Sequence, residues 1–411
     1  MATTQETDPT YGQLTDEKVD RLRQKIGLWR PELPPHNYEV TWDGARHFAY
    51  GAGDDNPLWC DPDYGRGTRW GGLIAPPNFM YTMGEDDAPP LTPEEKAIAK
   101  GDPLAGLGSY QAAMEFEWWR PLAAADRLRT RSAFVGVQAK DSQFGGTSVH
   151  QTIAYLYRNQ RDQLTCIRRG TWVRAERKAK TERNYELAGE YSPEQLAAID
   201  AAYEQQQRRG AQPRYWEDVE IGEELQPQVK GPLRISDLIV WHVGWGMQLT
   251  PPGAFRLSYL IRRKVPGLFT PNFLNVPDTV QRLHWEQDWA NQLGIPRPYD
   301  YGGLREAWLT FAITDWMGDE GWLWKLSCQH RRFNFQGDTT WVKGRVTGKA
   351  QEAGRSEVHL EIWCENQHGV VTTPATAVVL LPTRSQPVTL PTPPVEDFDE
   401  MFRHEIARYA R

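Results

Sequence analysis

The feature that most constrains this chain is a set of long alternating segments that occurs twice. Hydrophobic and polar residues alternate in each set, β-branched and aromatic residues are frequent, and Gly, Asp, Asn or Gln stand at the breaks. Alternation with period 2 is typical of antiparallel strands that have one polar face. The segments are 114–122, 126–140, 148–160 and 164–176 in the first half and 323–338, 339–351, 356–369 and 370–382 in the second. Each half is therefore predicted to contain one antiparallel sheet.

A helical region precedes each set of strands. One runs from Gly71-Gly72 through Leu73 to Gly84, and the other from Gly302-Gly303 through Leu304 to Gly318. Each half is thus expected to be a central helix packed on a curved antiparallel sheet. This is an α+β fold made twice, and the sheet edges of the two halves are free to pair.

The chain between the two halves is charged, rich in Gln and Ala, and poor in aliphatic residues. Ser192-Pro193-Glu194 resembles a helix start, with Ser as N-cap and Pro at the first helical position. The predicted units are a helical lead-in at 1–37, a first domain at 38–175, a helical linker at 176–213, a second domain at 214–385 and an irregular tail at 386–411.

Composition excludes several classes of function. The net charge is -7 without a dense Lys/Arg stripe, which makes nucleic acid an unexpected partner. No run approaches the ~20 apolar residues of a membrane span, and the N-terminus lacks the apolar core of a secretory signal.

The four cysteines form no CxxC pair, as expected of reduced thiols in a cytoplasmic protein. Motifs for metal or nucleotide binding are absent, so no cofactor is expected.

Tryptophan is unusually frequent, with 18 residues, and many lie in the second half. Packing in the core or in interfaces explains such residues in most proteins. A pocket lined by aromatic rings for a large flat substrate is the alternative.

The most informative segment of the first half joins a turn motif to a glycine pair. Asp54, Asn56 and Pro57 suit a turn, because Asp and Asn bond to their own backbone and Pro fixes the exit. Gly71-Gly72 precedes an apolar run and would allow backbone N–H groups to approach a ligand closely.

This segment resembles the MaoC-type, R-specific enoyl-CoA hydratase and dehydratase family. The resemblance covers about residues 38–175 and is closest to the fatty-acid-synthase-type dehydratase N-terminal domain. It implies a double hot-dog fold. The family pattern is Asp-x-Asn-Pro-apolar-His, and Trp59 stands at the position of the histidine. An indole cannot shuttle a proton, so the first half is not expected to be catalytic alone. Asp54 and Asn56 could reach a site shared between the halves.

The second half resembles the same family around Arg282-Leu283-His284-Trp285. His284 falls on the family's catalytic histidine, and Tyr301-Gly302 falls on the His-Gly of its Ala-His-Gly triplet. The carboxylate or amide partner belongs five residues before the histidine, where Thr279 stands beside Asp278. An insertion of about thirty residues is expected before Asp278.

The resemblance implies reversible addition of water to a 2-enoyl thioester. His284 would act as the general base, oriented by Thr279 or Asp278. Backbone N–H groups at Gly302 and Gly303 would stabilise the thioester oxygen as it becomes enolate-like.

Several other side chains have two interpretations. His242, at helical spacing with apolar residues, is expected in the core, and His330 is expected at the surface. Asp300 either belongs to a turn or lines the mouth of the site. Arg305 either pairs with Glu306 or meets a CoA phosphate.

The sequence thus predicts a hydratase or dehydratase of a 3-hydroxyacyl or 2-enoyl thioester. A CoA ester is preferred over a carrier-protein ester, because no basic patch for an acidic carrier protein stands out. Asp54, Asn56, Trp59, Tyr301 and Arg305 are the expected substrate-binding residues. The protein would form a homodimer or need a hetero-partner. A non-catalytic acyl-CoA-binding subunit and a hot-dog thioesterase remain as alternatives.

Overall fold

The computed structural model describes residues 12–142, 146–176, 185–246 and 253–410. Its strands are β1 Trp29–Arg30, β2 Glu85–Asp86, β3 Gly108–Trp118, β4 Leu128–Ser142, β5 Gly146–Asn159, β6 Leu164–Ala175, β7 Glu224–Lys230, β8 Phe269–Pro271, β9 Pro277–Thr279, β10 Trp322–Gln329, β11 Thr340–Glu352, β12 Arg355–Asn366 and β13 Val371–Leu380. Both predicted sets of long strands are therefore present.

The α-helices of the described residues are α1 Asp16–Arg23, α2 Trp42–Gly51, α3 Pro57–Cys60, α4 Pro62–Arg66, α5 Pro93–Ala99, α6 Pro193–Glu204, α7 Ile235–Trp245, α8 Arg256–Lys264, α9 Gln287–Gln292, α10 Gly302–Met317 and α11 Phe398–Tyr409. Short 3₁₀ helices cover Pro77–Thr82, Trp216–Asp218, Pro266–Leu268 and Val280–His284. Among these helices, none has the length and apolar character needed to cross a bilayer.

One continuous sheet runs through both halves, in the order β1-β4-β5-β6-β3-β10-β13-β12-β11-β7, with β2 added in parallel to β4. The halves join where β3 pairs with β10 antiparallel, with Glu117 opposite Lys325 and Met114 opposite Cys328. The predicted pairing of sheet edges between the halves is confirmed. The chain has the double hot-dog fold, in which neither long sheet keeps a free edge at the junction.

The second half contains the expected long central helix, and the first half does not. Every residue of α10 except Gly302 and Asp315 is buried, as expected of a helix enclosed on all sides. The helix predicted between Gly71 and Gly84 is reduced to the 3₁₀ turn Pro77–Thr82. Pro77 holds the preceding Pro76 in an extended conformation (φ -55°, ψ 150°), so a helix cannot begin earlier.

Helices α2 and α7, one from each half, cross closely. A Cβ on Gly51 would lie 3.2 Å from the carbonyl oxygen of Val240, and one on Gly244 would overlap the carbonyl oxygen of His47. The absence of side chains at both positions therefore allows the two backbones to touch.

Replacing Gly244 with Ala is expected to lower the free energy of unfolding by about 1–3 kcal/mol, because the new methyl group meets backbone atoms that cannot rotate away. Urea denaturation would measure the change. Gly189→Ala is the matched control, since a Cβ there would meet no atom within 4 Å. Equal stabilities of the two variants would contradict the close crossing.

The tail is not irregular as predicted, because it ends in α11. The apolar residues Phe398, Met401 and Phe402 are buried, and so is Glu405. Glu405 accepts a hydrogen bond from Nη2 of Arg169 on β6 at 2.6 Å. The spacing i, i+3, i+4, i+7 is that of an amphipathic helix. The preceding proline-rich residues obscured it.

The connecting segments follow the prediction in part. The side chain of Ser192 caps α6 by accepting from the backbone N–H of Gln195, and the side chain of Gln195 accepts from the backbone N–H of Ser192. The lead-in contains α1 between Asp16 and Arg23. Residues 1–11 and 177–184, which the lead-in and linker predictions include, lie outside the described residues. The predicted insertion before Asp278 holds α8 and the β8–β9 hairpin.

Candidate active site

His284 lies at the end of a 3₁₀ turn and is 6% exposed. Its Nδ1 atom is 2.7 Å from the carbonyl oxygen of Tyr299, to which it donates a hydrogen bond. Its ring stacks on Tyr301, with 3.8 Å between the ring centroids. The proton on Nδ1 leaves the lone pair of Nε2 available for a proton from elsewhere.

The structure does not place Thr279 or Asp278 as the residue that orients His284. The Thr279 hydroxyl accepts from the backbone N–H of Gln281 and so caps the 3₁₀ turn. Asp278 accepts from the backbone N–H of Thr279 at 2.7 Å. A backbone carbonyl, that of Tyr299, does the orienting instead. Thr279 and Asp278 shape the turn that carries His284.

Tyr301 connects His284 to a second buried histidine. The hydroxyl of Tyr301 is 2.8 Å from Nε2 of His242 on α7. Both residues are buried, so the predicted core position of His242 is confirmed, although His242 also has a polar contact there. Burial lowers the pKa of His242 to about 4 and raises the pKa of Tyr301 above its ordinary value. Both side chains are therefore neutral at pH 7.

The first turn of α10 starts beside these rings. The backbone N–H groups of a first helical turn have no acceptor within the helix, and the helix dipole makes them attractive to an anion. A Cβ on Gly302 would lie 2.9 Å from Oε1 of Gln111, and one on Gly303 would lie 3.6 Å from the rings of Trp241 and Trp245. The glycine pair thus lies at a crowded place, where backbone and side chains of both halves meet.

Glu306, one turn into α10, is fully buried and links the two halves. Its carboxylate accepts from the Tyr81 hydroxyl, from Nε2 of Gln111 at 2.6 Å and from Nε2 of His330 at 3.0 Å. The predicted surface position of His330 is wrong, because its side chain is 4% exposed. Pairing of β10 with β3 covers it, an arrangement that its own segment does not show.

Glu306, Cys328 and His330 bring three donor atoms within 4.8 Å of one another, which makes them a candidate metal group. Burial raises the pKa of the Cys328 thiol well above its ordinary value, so the thiolate that a metal prefers is disfavoured. The Glu306 carboxylate already accepts three hydrogen bonds. The donor set fits a polar junction between the halves better than a metal site.

Arg305 and Asp300 form a buried ion pair, with 3.1 Å between Nε and Oδ2. Arg305 also donates to the carbonyl oxygen of Arg332 and to the hydroxyl of Thr373. Arg305 therefore pairs neither with Glu306 nor with solvent, and as placed here it does not offer its charge to a CoA phosphate. Asp300 holds Arg305 in place, a role that neither interpretation from sequence included.

The motif of the first half lies at the other end of α10. Asn56 caps α3 through its side chain. The indole N–H of Trp59 donates to Asp54 at 2.7 Å. Arg208 bonds both Asp54 and Asp315 on α10, at 3.0 and 2.7 Å. Since Tyr301 and Asp315 are separated by most of α10, about 20 Å, Asp54 and Asn56 are not brought to His284.

A small cavity with an open mouth lies beside this motif. It is mainly apolar, and its lining includes Asn56 and Ile74 together with the tryptophans 59, 70, 118 and 322. The space exists where the first half has a 3₁₀ turn in place of a long central helix. Some tryptophans thus line a pocket, whereas Trp241, Trp245 and Trp308 are packed in the core.

Sequence reasoning missed three residues of the site. The carbonyl of Tyr299 leaves no side-chain signal. The contacts of His242 and Glu306 depend on how α7, α10 and β3 pack. A helical spacing that puts His242 among apolar residues indicated burial, but nothing in that pattern indicated its phenol partner.

Comparison with known proteins gives a family match in the first half of the chain. Residues 28–168 match the family model described as FAS1-like, dehydratase domain region. A UPF0336 protein of Streptomyces avermitilis is 28% identical over 117 residues, which are 28% of this chain and 71% of that protein. A UPF0336 protein of Saccharopolyspora erythraea is 34% identical over 110 residues, 26% of this chain and 63% of that protein.

Solved structures resemble most of the chain. A MaoC-like dehydratase aligns with a TM-score of 0.58 at 16% identity, over 87% of this chain and 99% of that one. A MaoC domain protein from Chloroflexus aurantiacus aligns with a TM-score of 0.52 at 12% identity, over 86% and 96%. At these identities the likeness concerns the fold.

Proposed function

From its FAS1-like dehydratase domain region and its MaoC-like double hot-dog fold, we propose that this protein is a hydratase or dehydratase of acyl thioesters. The observation that carries the proposal is the environment of His284. A buried neutral imidazole is oriented through Nδ1, has no hydrogen-bond partner at Nε2 among the residues that the structure describes, and lies beside the N-terminus of a buried helix.

His284 would act as the general base. With Nδ1–H donated to the Tyr299 carbonyl, Nε2 is the atom that accepts a proton from water as the oxygen attacks C3 of a 2-enoyl thioester. In the reverse direction the same atom returns the proton to the leaving hydroxyl group. A hydrogen bond donated by Nδ1 fixes the tautomer, which is a common requirement for histidine in catalysis.

The start of α10 would receive the thioester oxygen. Negative charge develops on that oxygen as C3 is attacked, and the N–H groups of Gly302 and Gly303 are oriented donors at a positive helix end. Glycine at position 302 also satisfies packing, because a side chain there would be crowded by Gln111 and His330.

The cavity beside Trp59 would hold the distal part of a long or bulky acyl group. It lies about 20 Å along α10 from Tyr301 and is mainly apolar. This assignment gives the first half a binding role without a proton-transfer role. A CoA ester remains the preferred substrate, and self-association remains an expectation.

Assay of the purified protein with a panel of 2-enoyl-CoA esters of increasing chain length tests the proposal. Addition of water, detected as 3-hydroxyacyl-CoA by mass spectrometry, is expected, with preference for longer or bulkier chains. Thr279 and Trp59 favour one alternative, a non-catalytic acyl-CoA-binding subunit, which would bind the esters but hydrate none of them. Release of the free CoA thiol would instead indicate a thioesterase.

The pH dependence of hydration is expected to lack a proton step near 6.5. Burial lowers the pKa of His284 to about 3, opposed by its bond to the Tyr299 carbonyl, so the base stays neutral well below the ordinary range of histidine. The acid limb of kcat that reports His284 should therefore lie below about pH 5. Initial rates at saturating ester check this. A single limb at the ordinary pKa of histidine would show that the ring is solvated.

A further inference from the structure

Hydration requires a second proton transfer that His284 alone does not explain, and the following inference rests on the proposed function. While the base takes a proton from water, an acid must deliver one to C2 of the enolate-like intermediate. In the family pattern, a carboxylate or amide is expected five residues before the histidine. Thr279 stands there, and its hydroxyl accepts the hydrogen bond that caps a turn. Another group beside His284 must therefore supply the acid.

Of the described tyrosines that contact His284, Tyr301 has the nearer ring, since the Tyr299 ring lies 4.6 Å away between centroids. Their rings are stacked, with 3.8 Å between centroids and 29° between planes. Tyr301 is also the N-cap residue of α10, so its hydroxyl belongs to the same short stretch as the N–H groups proposed to hold the thioester oxygen. Its phenol is neutral, because burial raises its pKa.

The contact between Tyr301 and His242 indicates which way the phenol proton points. Nε2 of His242 is 2.8 Å from the Tyr301 hydroxyl, and Nδ1 of His242 is buried without a partner among the described residues. A buried N–H without an acceptor is rarer than a buried lone pair without a donor. The favoured tautomer therefore carries its proton on Nε2 and donates it to the Tyr301 oxygen. The proton of the phenol is then free for another acceptor.

We propose that Tyr301 is the catalytic acid that protonates C2, and that His242 is a positioning residue that acts through it. Water oxygen forms a bond to C3 and loses a proton to Nε2 of His284. The C2–C3 π electrons move into the enolate, which then takes the phenol proton at C2. His242 Nε2–H stabilises the resulting phenolate. Return of the proton from His284 to Tyr301, directly or through water, closes the cycle with one water added.

Tyr301→Phe tests the proposal, because it keeps the stacked ring and removes only the hydroxyl. We expect kcat for hydration to fall by about 10²–10³-fold, with KM changed less than about threefold. Binding of a saturated acyl-CoA, measured by calorimetry, should be unchanged. Tyr157→Phe is the matched control and should keep its activity. It also removes a buried phenol, but from β5 in the first half, whereas His284 lies in the second half.

Two variants separate the role of His242 from simple packing. His242→Gln can still present an N–H near the position of Nε2 and should retain activity within about tenfold, whereas His242→Leu should lose about as much as Tyr301→Phe. If Tyr301→Phe fails to fold, fluorotyrosine at position 301 replaces it. A phenol of lower pKa should then shift the basic limb of kcat to lower pH, which a structural role would not do.

The outcomes distinguish this inference from the proposed function. Full hydration by Tyr301→Phe, in a protein that loses hydration in His284→Asn, would overturn the inference and leave the function intact. Equal activity of His242→Gln and His242→Leu would overturn the role of His242. No hydration of any ester by the natural protein would overturn the proposed function, and the inference with it.

Discussion

His284→Asn is expected to lower kcat for hydration of a 2-enoyl-CoA by about 10²–10⁴-fold. The amide can still donate to the Tyr299 carbonyl, which the imidazole reaches at 2.7 Å, but it offers no basic atom in place of Nε2. The buried contact is thus preserved while the proton acceptor is removed. Steady-state rates with the best ester of the panel measure the loss, and circular dichroism confirms the fold.

The matched control is His359→Asn on β12, where the side chain is 43% exposed. The same chemical change there should leave kcat within about twofold, since surface substitutions away from a site have small effects. An unchanged rate in His284→Asn, with the fold intact, would remove His284 from the chemistry.

Arg208→Met is expected to lower the free energy of unfolding by about 3–5 kcal/mol, because it strands the buried carboxylate of Asp54 and the partly buried one of Asp315. Arg208 bonds Asp54 at 3.0 Å and Asp315 at 2.7 Å, and so connects the linker, the motif of the first half and α10. Burial, and then the neighbouring Asp315, already raise the pKa of Asp54 to about 6 despite Arg208. Urea denaturation measures the loss.

The cost should depend on pH in a defined direction. When the pKa of a carboxyl group is higher in the folded protein than in the unfolded chain, the protein loses stability as the pH rises through the folded-state pKa. Removing the arginine raises the pKa of Asp54 and Asp315 further, so the destabilisation should be larger at about pH 8 than at about pH 5. Arg345→Met, which breaks an exposed pair with Glu361, is the control and should cost at most about 1 kcal/mol at either pH. If Arg208→Met also lowered the free energy of unfolding by at most about 1 kcal/mol, the buried network would be contradicted.

The sequence carried enough information to predict the sheet and the helix of the second half. Period-2 alternation marked the long strands, and the Gly302-Gly303 start with Gly318 as the stop marked α10. The short turn at Pro77 and the helix α11 were missed for opposite reasons. The apolar run after Gly72 favoured a helix, but Pro76-Pro77 prevented one. The residues from Phe398 onward have the regular apolar spacing of a helix, but the prolines before them favoured an irregular tail.

The candidate site was predictable only at the level of side-chain identity. His284 was identified from its resemblance to a motif, yet its hydrogen-bond partner is a main-chain carbonyl that no residue type specifies. Likewise, Arg208 lies in a linker that carries no motif. Its partners are distant in the chain, since Asp55 lies 153 positions before it and Asp315 lies 107 positions after it. Contacts of this kind depend on the packing of distant elements, and single-sequence patterns report only local spacing.

A crystal structure with a bound, unreactive acyl-CoA tests the central claim most directly. We expect the thioester carbonyl to accept hydrogen bonds from the N–H groups of Gly302 and Gly303, C3 to lie within reach of Nε2 of His284 through one water, and the acyl tail to extend toward Trp59. A thioester found at the Asp54 end of α10, with His284 sealed off from it, would contradict the account.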